Sequence, residues 1–132
     1  MAEAEATWQP GEIIAEKYEL LRPLARGGMG QVWEGKHQLT ERRVAIKFML
    51  PELATSPDTV QRFFREAKAS ARIDHPSIVD VLDLGTLESG APFMVMEYLD
   101  GRSLEAVIDA NPLTTTQIAA VMLDVARALA AA

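Results

Sequence analysis

A cluster of glycines between two strand-like runs is the feature that most constrains the fold of this chain. Residues 24–32 read LARGGMGQV and place Gly27, Gly28 and Gly30 in one turn. Glycines in such a turn allow backbone N–H groups to approach phosphate oxygens closely. The glycines alone are equally compatible with a hairpin turn that binds no ligand.

The residues after this turn exclude two common phosphate-binding folds. A dinucleotide-binding fold needs a helix directly after the glycines, whereas the pattern of residues 31–36 is typical of a strand. A P-loop needs Ser or Thr after its lysine, and His37 follows Lys36 here. The glycine turn therefore belongs to a strand–turn–strand unit.

The pattern around this unit predicts an α+β domain. Strand-like runs occupy residues 18–24, 31–36 and 43–49, and residues 78–87 and 92–98 predict a hairpin. A helix is predicted to begin after Ser56, and its apolar residues recur at helical spacing: Val60, Phe63, Phe64, Ala67 and Ala71. Two further helices are predicted after Ser103 and Thr114, which have the positions of N-caps.

Composition narrows the class of protein. The chain has 132 residues, is 48% hydrophobic and contains no cysteine, so one domain with a core is expected and disulfides are excluded. The net charge is −6, whereas proteins that bind nucleic acids through phosphate contacts are rich in Lys and Arg. No nucleic-acid partner is therefore expected. We expect a cytoplasmic protein with a flexible segment over residues 1–12, no signal peptide and no membrane segment.

Five motifs in one order carry a family resemblance. The glycine turn is followed by VAIK at residues 44–47, FREA at residues 64–67, HP at residues 75–76 and VMEY at residues 95–98. In this order and spacing the chain resembles the protein kinase family, and within it the bacterial serine/threonine kinases. The resemblance covers about residues 13–132.

The resemblance implies a kinase N-terminal lobe. That lobe is a five-stranded antiparallel sheet packed by one helix, which here would occupy residues 13–99 together with the hinge. Residues 100–132 would then form the first two helices of an incomplete C-terminal lobe. Class α+β follows from this architecture.

The resemblance also implies an ATP site. Lys47 would bind the α- and β-phosphates, and Glu66 would hold this lysine by an ion pair. Taken singly, each is better read as a solvated surface charge, and only the two together in this context favour the ion pair. The other positions that match the family's nucleotide site are Leu24, Ala25, Gly27, Gly28, Gly30, Val32, Ala45, Met96, Glu97, Leu99 and Ser103.

Two departures from the family pattern limit the activity expected. Ala25 stands at the first loop glycine of the family, which restricts the loop backbone. No catalytic-loop Asp, metal-binding Asn or D-F-G Asp occurs in the 132 residues. We therefore expect no metal site in this chain, a role for Mg²⁺ only in a full-length parent, and no phosphotransfer by the chain alone.

Two functions remain open from the sequence. The first is the ATP-binding part of a bacterial serine/threonine kinase that phosphorylates protein substrates. The alternative is a non-catalytic regulatory or dimerisation module with a kinase N-lobe fold. An H-R-D and D-F-G continuation of the gene favours the first, and a stop codon favours the second. In either case residues 115–132 carry an apolar stripe that predicts self-association, with disorder of this segment as the alternative.

Overall fold

A curled antiparallel sheet forms the centre of the protein. The computed structural model describes residues 8–28 and 30–132. The sheet order is β1-β2-β3-β4-β6-β5, and neighbouring strands are antiparallel throughout. The strands are β1 (Ile13–Ile14), β2 (Tyr18–Arg26), β3 (Gly30–His37), β4 (Arg43–Met49), β5 (Val81–Thr86) and β6 (Pro92–Glu97).

Alternation along the strands divides the sheet into two faces. Trp33, Ile46 and Val95 lie opposite one another on β3, β4 and β6, and all three are buried. Because residues directly opposite in antiparallel strands share a face, this row defines one side of the sheet. The main apolar core covers that side and consists of Trp8, Ile14, Tyr18, Leu20, Trp33, Val44, Ile46, Phe48, Phe93 and Val95.

The sheet differs from the prediction by one strand. Five strands were expected and are present, but a sixth, the two-residue β1, extends the edge next to β2. The pairing of β1 with β2 is supplemented by hydrogen bonds from Gly11 N–H to Leu20 O (2.7 Å) and from Leu20 N–H to Glu12 O (2.9 Å). A two-residue strand has too short a pattern to be read from sequence.

The segment before β1 contributes one aromatic residue to the core. Residues 1–12 were predicted to be flexible, yet Trp8 is buried and its ring stacks on Phe48 with centroids 4.3 Å apart. Residues 1–7 lie outside the described residues. From Trp8 onward the chain is therefore a part of the core.

The curl of the sheet brings β2 close to the far edge strand β5. Tyr18 Oη donates a hydrogen bond to Asp83 Oδ2 at 3.1 Å, and Lys17 Nζ lies 3.9 Å from the same oxygen. Burial, with the hydrogen bond and the negative charge of Asp83, raises the pKa of Tyr18 to about 12. The phenol thus remains a donor well above neutral pH, and it joins two strands that share no backbone pairing.

The helices begin where the capping residues predicted. The three α-helices of the described residues are α1 (Pro57–Ala71), α2 (Leu104–Ala110) and α3 (Thr115–Ala131). Ser56 and Ser103 accept hydrogen bonds at the first two N-termini, and Thr114 forms a capping box with Gln117. A short 3-10 helix (Leu53–Thr55) was not predicted. None of the helices described is long and apolar enough to cross a membrane.

Among the helices in residues 8–28 and 30–132, α1 is the one that packs extensively on the sheet. It lies against β5 and β6, as the single packed helix of the prediction requires. By contrast, the apolar stripe on α3 is largely exposed: Ile118, Met122, Val125 and Leu129 are between 42% and 70% exposed, and Val121 is half-buried.

Candidate functional site

Two cross-strand rows collect several of the predicted site residues on one face of the sheet. Val32 on β3 lies opposite both Ala25 on β2 and Lys47 on β4. In the adjacent row, Ala45 on β4 lies opposite Met96 on β6. Since residues i and i+2 of a strand share a face, both rows lie on the side opposite the main apolar core. Ala25, Val32, Ala45, Lys47 and Met96 therefore form one surface.

Helix α1 brings Glu66 to the same surface. Lys47 and Glu66 both line a cavity of about 140 Å³ between β4 and α1, together with Thr59, Arg62 and Phe63 from the helix. The helical members are three or four positions apart and so share one face of α1. No ion pair in residues 8–28 and 30–132 includes Lys47 or Glu66. The two side chains are neighbours without a closed ion pair.

Arg62 is a cation at this cavity that the sequence analysis missed. It precedes Glu66 by four residues on α1 and lines the same space. The spacing of oppositely charged residues at i and i+4 on a predicted helix was the available signal. Glu66 thus has two cations within its surroundings, one on its own helix and one on the sheet.

The glycine turn joins β2 to β3 tightly. Gly27 N–H donates to Gly30 O at 2.9 Å. A Cβ atom on Gly30 would lie 1.8 Å from the carbonyl oxygen of Phe48, so β3 and β4 approach too closely there for any side chain. At Gly27 and Gly28 a Cβ atom would meet no heavy atom within 4 Å, which leaves open space at the tip of the turn. Met29 lies outside the described residues.

The close approach at Gly30 and the open space at Gly28 predict that a methyl group added at these two positions changes stability unequally. We expect Gly30→Ala to lower the free energy of unfolding by at least about 1–3 kcal/mol, because β4 must move away from β3. Gly28→Ala is the matched control, and we expect a change within about 0.5 kcal/mol. Urea unfolding followed by tryptophan fluorescence measures both. Equal stabilities of the two variants would contradict the close approach at Gly30.

The predicted site residue Leu24 lies outside the two rows. Leu24 is the extra residue of a β-bulge between Pro23 and Ala25, and it is 38% exposed. It lines a cavity of about 510 Å³ with Trp8 and Trp33, on the core side of the sheet. A bulge redirects a strand locally, which alternation in the sequence does not reveal.

The hinge residues that the family resemblance implies, residues 97–99, lie at the end of β6 and directly after it. Glu97 N–H donates to Asp80 O at 3.0 Å, and Asp80 N–H donates to Glu97 Oε1 at 3.1 Å. These reciprocal bonds anchor the end of β6 to the segment before β5. Leu99 is exposed, and Ser103 Oγ accepts a hydrogen bond from Ala106 N–H at 3.1 Å. Ser103 therefore serves as the N-cap of α2 in this structure.

A buried carboxylate near the hinge was not found from the sequence. Glu34 on β3 is only 4% exposed, and it accepts hydrogen bonds from Arg22 Nε at 2.5 Å and from Arg43 Nε at 2.7 Å. Burial opposes its charged form, but the hydrogen bonds from Arg43 and Arg22 outweigh this and hold the pKa of Glu34 below its ordinary value. The stabilisation is present above the ordinary carboxyl pKa and is lost as the pH falls through the lowered one.

The arginines on either side of Glu34 also contact Tyr98, the residue between Glu97 and Leu99. Arg22 Nη2 donates to Tyr98 Oη at 3.3 Å, and the guanidinium of Arg43 lies 4.1 Å from the centre of the Tyr98 ring. Arg22, Glu34, Arg43 and Tyr98 are called the hinge cluster below. The contact of the Arg43 guanidinium with the Tyr98 ring is a cation–π interaction.

The titratable residues do not form a metal site in the part of the chain that is described. No group of three or more His, Cys, Asp or Glu side chains in residues 8–28 and 30–132 is placed to hold a metal ion. His37 Nδ1 accepts hydrogen bonds from the backbone of Leu39 and Thr40, and His75 Nδ1 accepts one from Ser77 N–H. Both histidines have local roles in turns.

Comparison with known proteins gives one consistent family. The sequence model of the protein kinase domain family matches residues 18–132 of this chain. The serine/threonine-protein kinase pkn3 of Myxococcus xanthus is 36% identical over 120 residues, which are 90% of this chain and 22% of that protein. PrkC of Bacillus subtilis is 36% identical over 121 residues, which are 91% of this chain and 18% of that protein.

Solved structures agree with this result. The kinase domain of Mycobacterium tuberculosis PknI superimposes on this chain with a TM-score of 0.76 at 30% identity. The aligned region covers 93% of this chain and 50% of the PknI chain. A second crystal structure of the same domain gives a TM-score of 0.78 at 30% identity, with 93% and 49% covered. The chain therefore spans about half of a solved kinase domain and about a fifth of its curated relatives.

Proposed function

We propose, since this chain belongs to the protein kinase family, that it is the ATP-binding part of a bacterial serine/threonine kinase. The complete enzyme would transfer the γ-phosphate of ATP to Ser or Thr of a protein substrate. The observation that carries this proposal is the common surface of Val32, Ala45, Lys47 and Met96, with Glu66 beside Lys47 at the α1 cavity. We place the protein in the cytoplasm, because a chain without cysteine suits a reducing compartment.

Each residue of the site has a proposed task. The Lys47 ammonium binds α- and β-phosphate oxygens, and Glu66 positions that ammonium once α1 has moved close enough for an ion pair. The open space at Gly27 and Gly28 admits the phosphates under the glycine turn, where Ala25 and Gly30 complete the loop. Val32 and Ala45 enclose the adenine, and Met96 limits the depth of its pocket. Leu24, which the family resemblance puts beside the adenine, lines a cavity on the core side of the sheet and has no task in this site. The backbone at Glu97 and Leu99 binds the adenine edge, and Ser103 lies towards the ribose.

Bound ATP supplies the transferable phosphoryl group, and this chain supplies its position and part of its charge neutralisation. The residues described fit the nucleotide, because a cation, open glycines and apolar side chains face one surface. They do not fit Mg²⁺, because no carboxylate cluster is available in residues 8–28 and 30–132. We therefore assign no metal-dependent step to these residues and expect no phosphotransfer by this chain alone.

Nucleotide binding tests the proposal directly. Isothermal titration of the 132-residue chain with ATP should give saturable binding, and Lys47→Met should weaken it at least about tenfold, because a hydrogen bond to a charged group is lost. Lys36→Met is the matched control: it removes a strand lysine whose ion-pair partner is Glu19, at 3.7 Å, and should leave the affinity unchanged. Equal binding by the wild type and Lys47→Met would contradict the site.

A phosphotransfer assay completes the test. The purified chain is incubated with labelled ATP, Mg²⁺ and a generic protein substrate, and no incorporation above background is expected. Label that survives rigorous purification and disappears in Lys47→Met would show that the chain is active on its own. That result would overturn the expectation of inactivity while supporting the ATP site.

A second candidate function is a dimerisation module, and the exposed stripe of α3 favours it. Ile118, Met122, Val125 and Leu129 present apolar surface that the described part of the sheet does not cover. Burying such side chains contributes about 1.5–3 kcal/mol each. We propose that two copies associate through residues 115–132. Light scattering of the whole chain should give a dimer, and of a version ending at Asn111 a monomer; monomers in both cases would contradict this.

A further inference from the structure

The hinge cluster links three strands to the segment that follows β6. Arg22 lies on β2, Glu34 on β3 and Arg43 on β4. Glu34 binds both arginines, and both arginines contact Tyr98. Backbone pairing already joins these strands to each other. The backbone pairing of β6 ends at Glu97. The side chains of Arg22 and Arg43 add contacts from the sheet to Tyr98, the next residue.

The arrangement depends on the single carboxylate. Two guanidinium groups lie on either side of Glu34, and both would repel each other without the negative charge between them. Glu34 orients both planes, since its two oxygens accept from different arginines. Removing this carboxylate therefore frees both arginines to turn towards water, and Tyr98 then loses its hydrogen bond and its cation–π contact together.

The cluster also borders the surface proposed to bind the nucleotide. Glu34 lies directly opposite Ala45, and Ala45 lies opposite Met96, so the buried carboxylate continues the second row of that surface. Tyr98 is the residue between Glu97 and Leu99, whose backbone is proposed to bind the adenine edge. A displacement of Tyr98 would move that backbone relative to Ala45 and Met96.

From this juxtaposition we infer that Glu34 is a positioning residue for adenine, acting through Arg22, Arg43 and Tyr98 on the backbone after β6. This inference rests on the proposed ATP site and adds to it Arg22, Glu34 and Arg43, which lie outside the family motifs quoted above. It separates two halves of nucleotide recognition, because the hinge cluster acts on adenine and Lys47 acts on phosphate. If Glu34 only stabilised the fold, its removal would weaken the binding of adenine and of phosphate alike.

The test measures the two halves separately on the 132-residue chain. NMR titrations with ATP, adenosine and inorganic tripolyphosphate are made on the wild type, Glu34→Gln and Tyr98→Leu. We expect both variants to bind ATP and adenosine about tenfold more weakly and tripolyphosphate as the wild type does. Lys47→Met should instead weaken the binding of ATP and tripolyphosphate and leave the binding of adenosine unchanged. Lys36→Met, on the same strand as Glu34, should bind all three ligands like the wild type.

The outcomes separate this inference from the proposed function. If the wild type binds no ATP, the proposed site and this inference both fail. If the wild type binds ATP and both variants keep the wild-type affinity for adenosine, this inference alone is overturned. Equal weakening of adenosine and tripolyphosphate would also overturn it, because that pattern indicates a general loss of structure. Should Glu34→Gln fail to fold, Tyr98→Leu decides, since Tyr98 is only half-buried.

Discussion

Lys47→Met is expected to lower kcat at least about 100-fold in a kinase that carries residues 1–132 together with a catalytic half. The reason is the loss of a preorganised charge at the phosphates, which has effects of this size in comparable sites. Glu66→Gln should have a similar effect, because the role proposed for Glu66 is to position Lys47. The double variant should resemble either single variant, since the two residues form one unit. Steady-state phosphorylation of a protein substrate measures all three.

The geometry of the site makes this test informative. Lys47 and Glu66 line one cavity, but the structure contains no ion pair between them. At a separation of about 4 Å and an effective dielectric constant of about 20, the gross attraction is about 4 kcal/mol before desolvation. A shift of α1 towards β4 would bring them to that separation. Unchanged turnover in Glu66→Gln would show that Glu66 is not the partner of Lys47.

Trp8→Ala is expected to lower the free energy of unfolding of the chain by about 3–5 kcal/mol, the range for truncating a buried aromatic side chain. Trp8 is 4% exposed, stacks on Phe48 and belongs to the main core. Phe48 is adjacent to Lys47 on β4, so the loss would also loosen the strand that carries this lysine. Urea unfolding followed by far-UV circular dichroism measures the change.

Leu39→Ala is the control for this prediction. Leu39 is also a large apolar residue, but it is 89% exposed, and its truncation should change stability by no more than about 0.5 kcal/mol. A Trp8→Ala variant as stable as Leu39→Ala would mean that the segment before β1 contributes nothing to the core. The segment would then deserve the description as a flexible lead-in that the sequence suggested.

Most elements could be predicted because their signals are local. Ser56 before Pro57, and Thr114 three residues before Gln117, mark helix starts through hydrogen bonds that span a single turn. Alternation along β3 and β4 likewise placed Val32, Ala45 and Lys47 on one face once the strands were paired in register. The family resemblance arises from motifs of the same local kind, and the protein kinase model matches most of the chain.

What the tertiary structure decided are the contacts between residues distant in sequence. The stacking of Trp8 on Phe48, the bond from Tyr18 to Asp83 and the hinge cluster each join segments whose separation depends on the curl of the whole sheet. A composition rich in Ala and Glu before residue 8 gave no sign that the following tryptophan was buried. In the sequence Glu34 could not be told from an exposed strand carboxylate. Its burial and its pairing with Arg22 and Arg43 follow only from the folded arrangement of three strands.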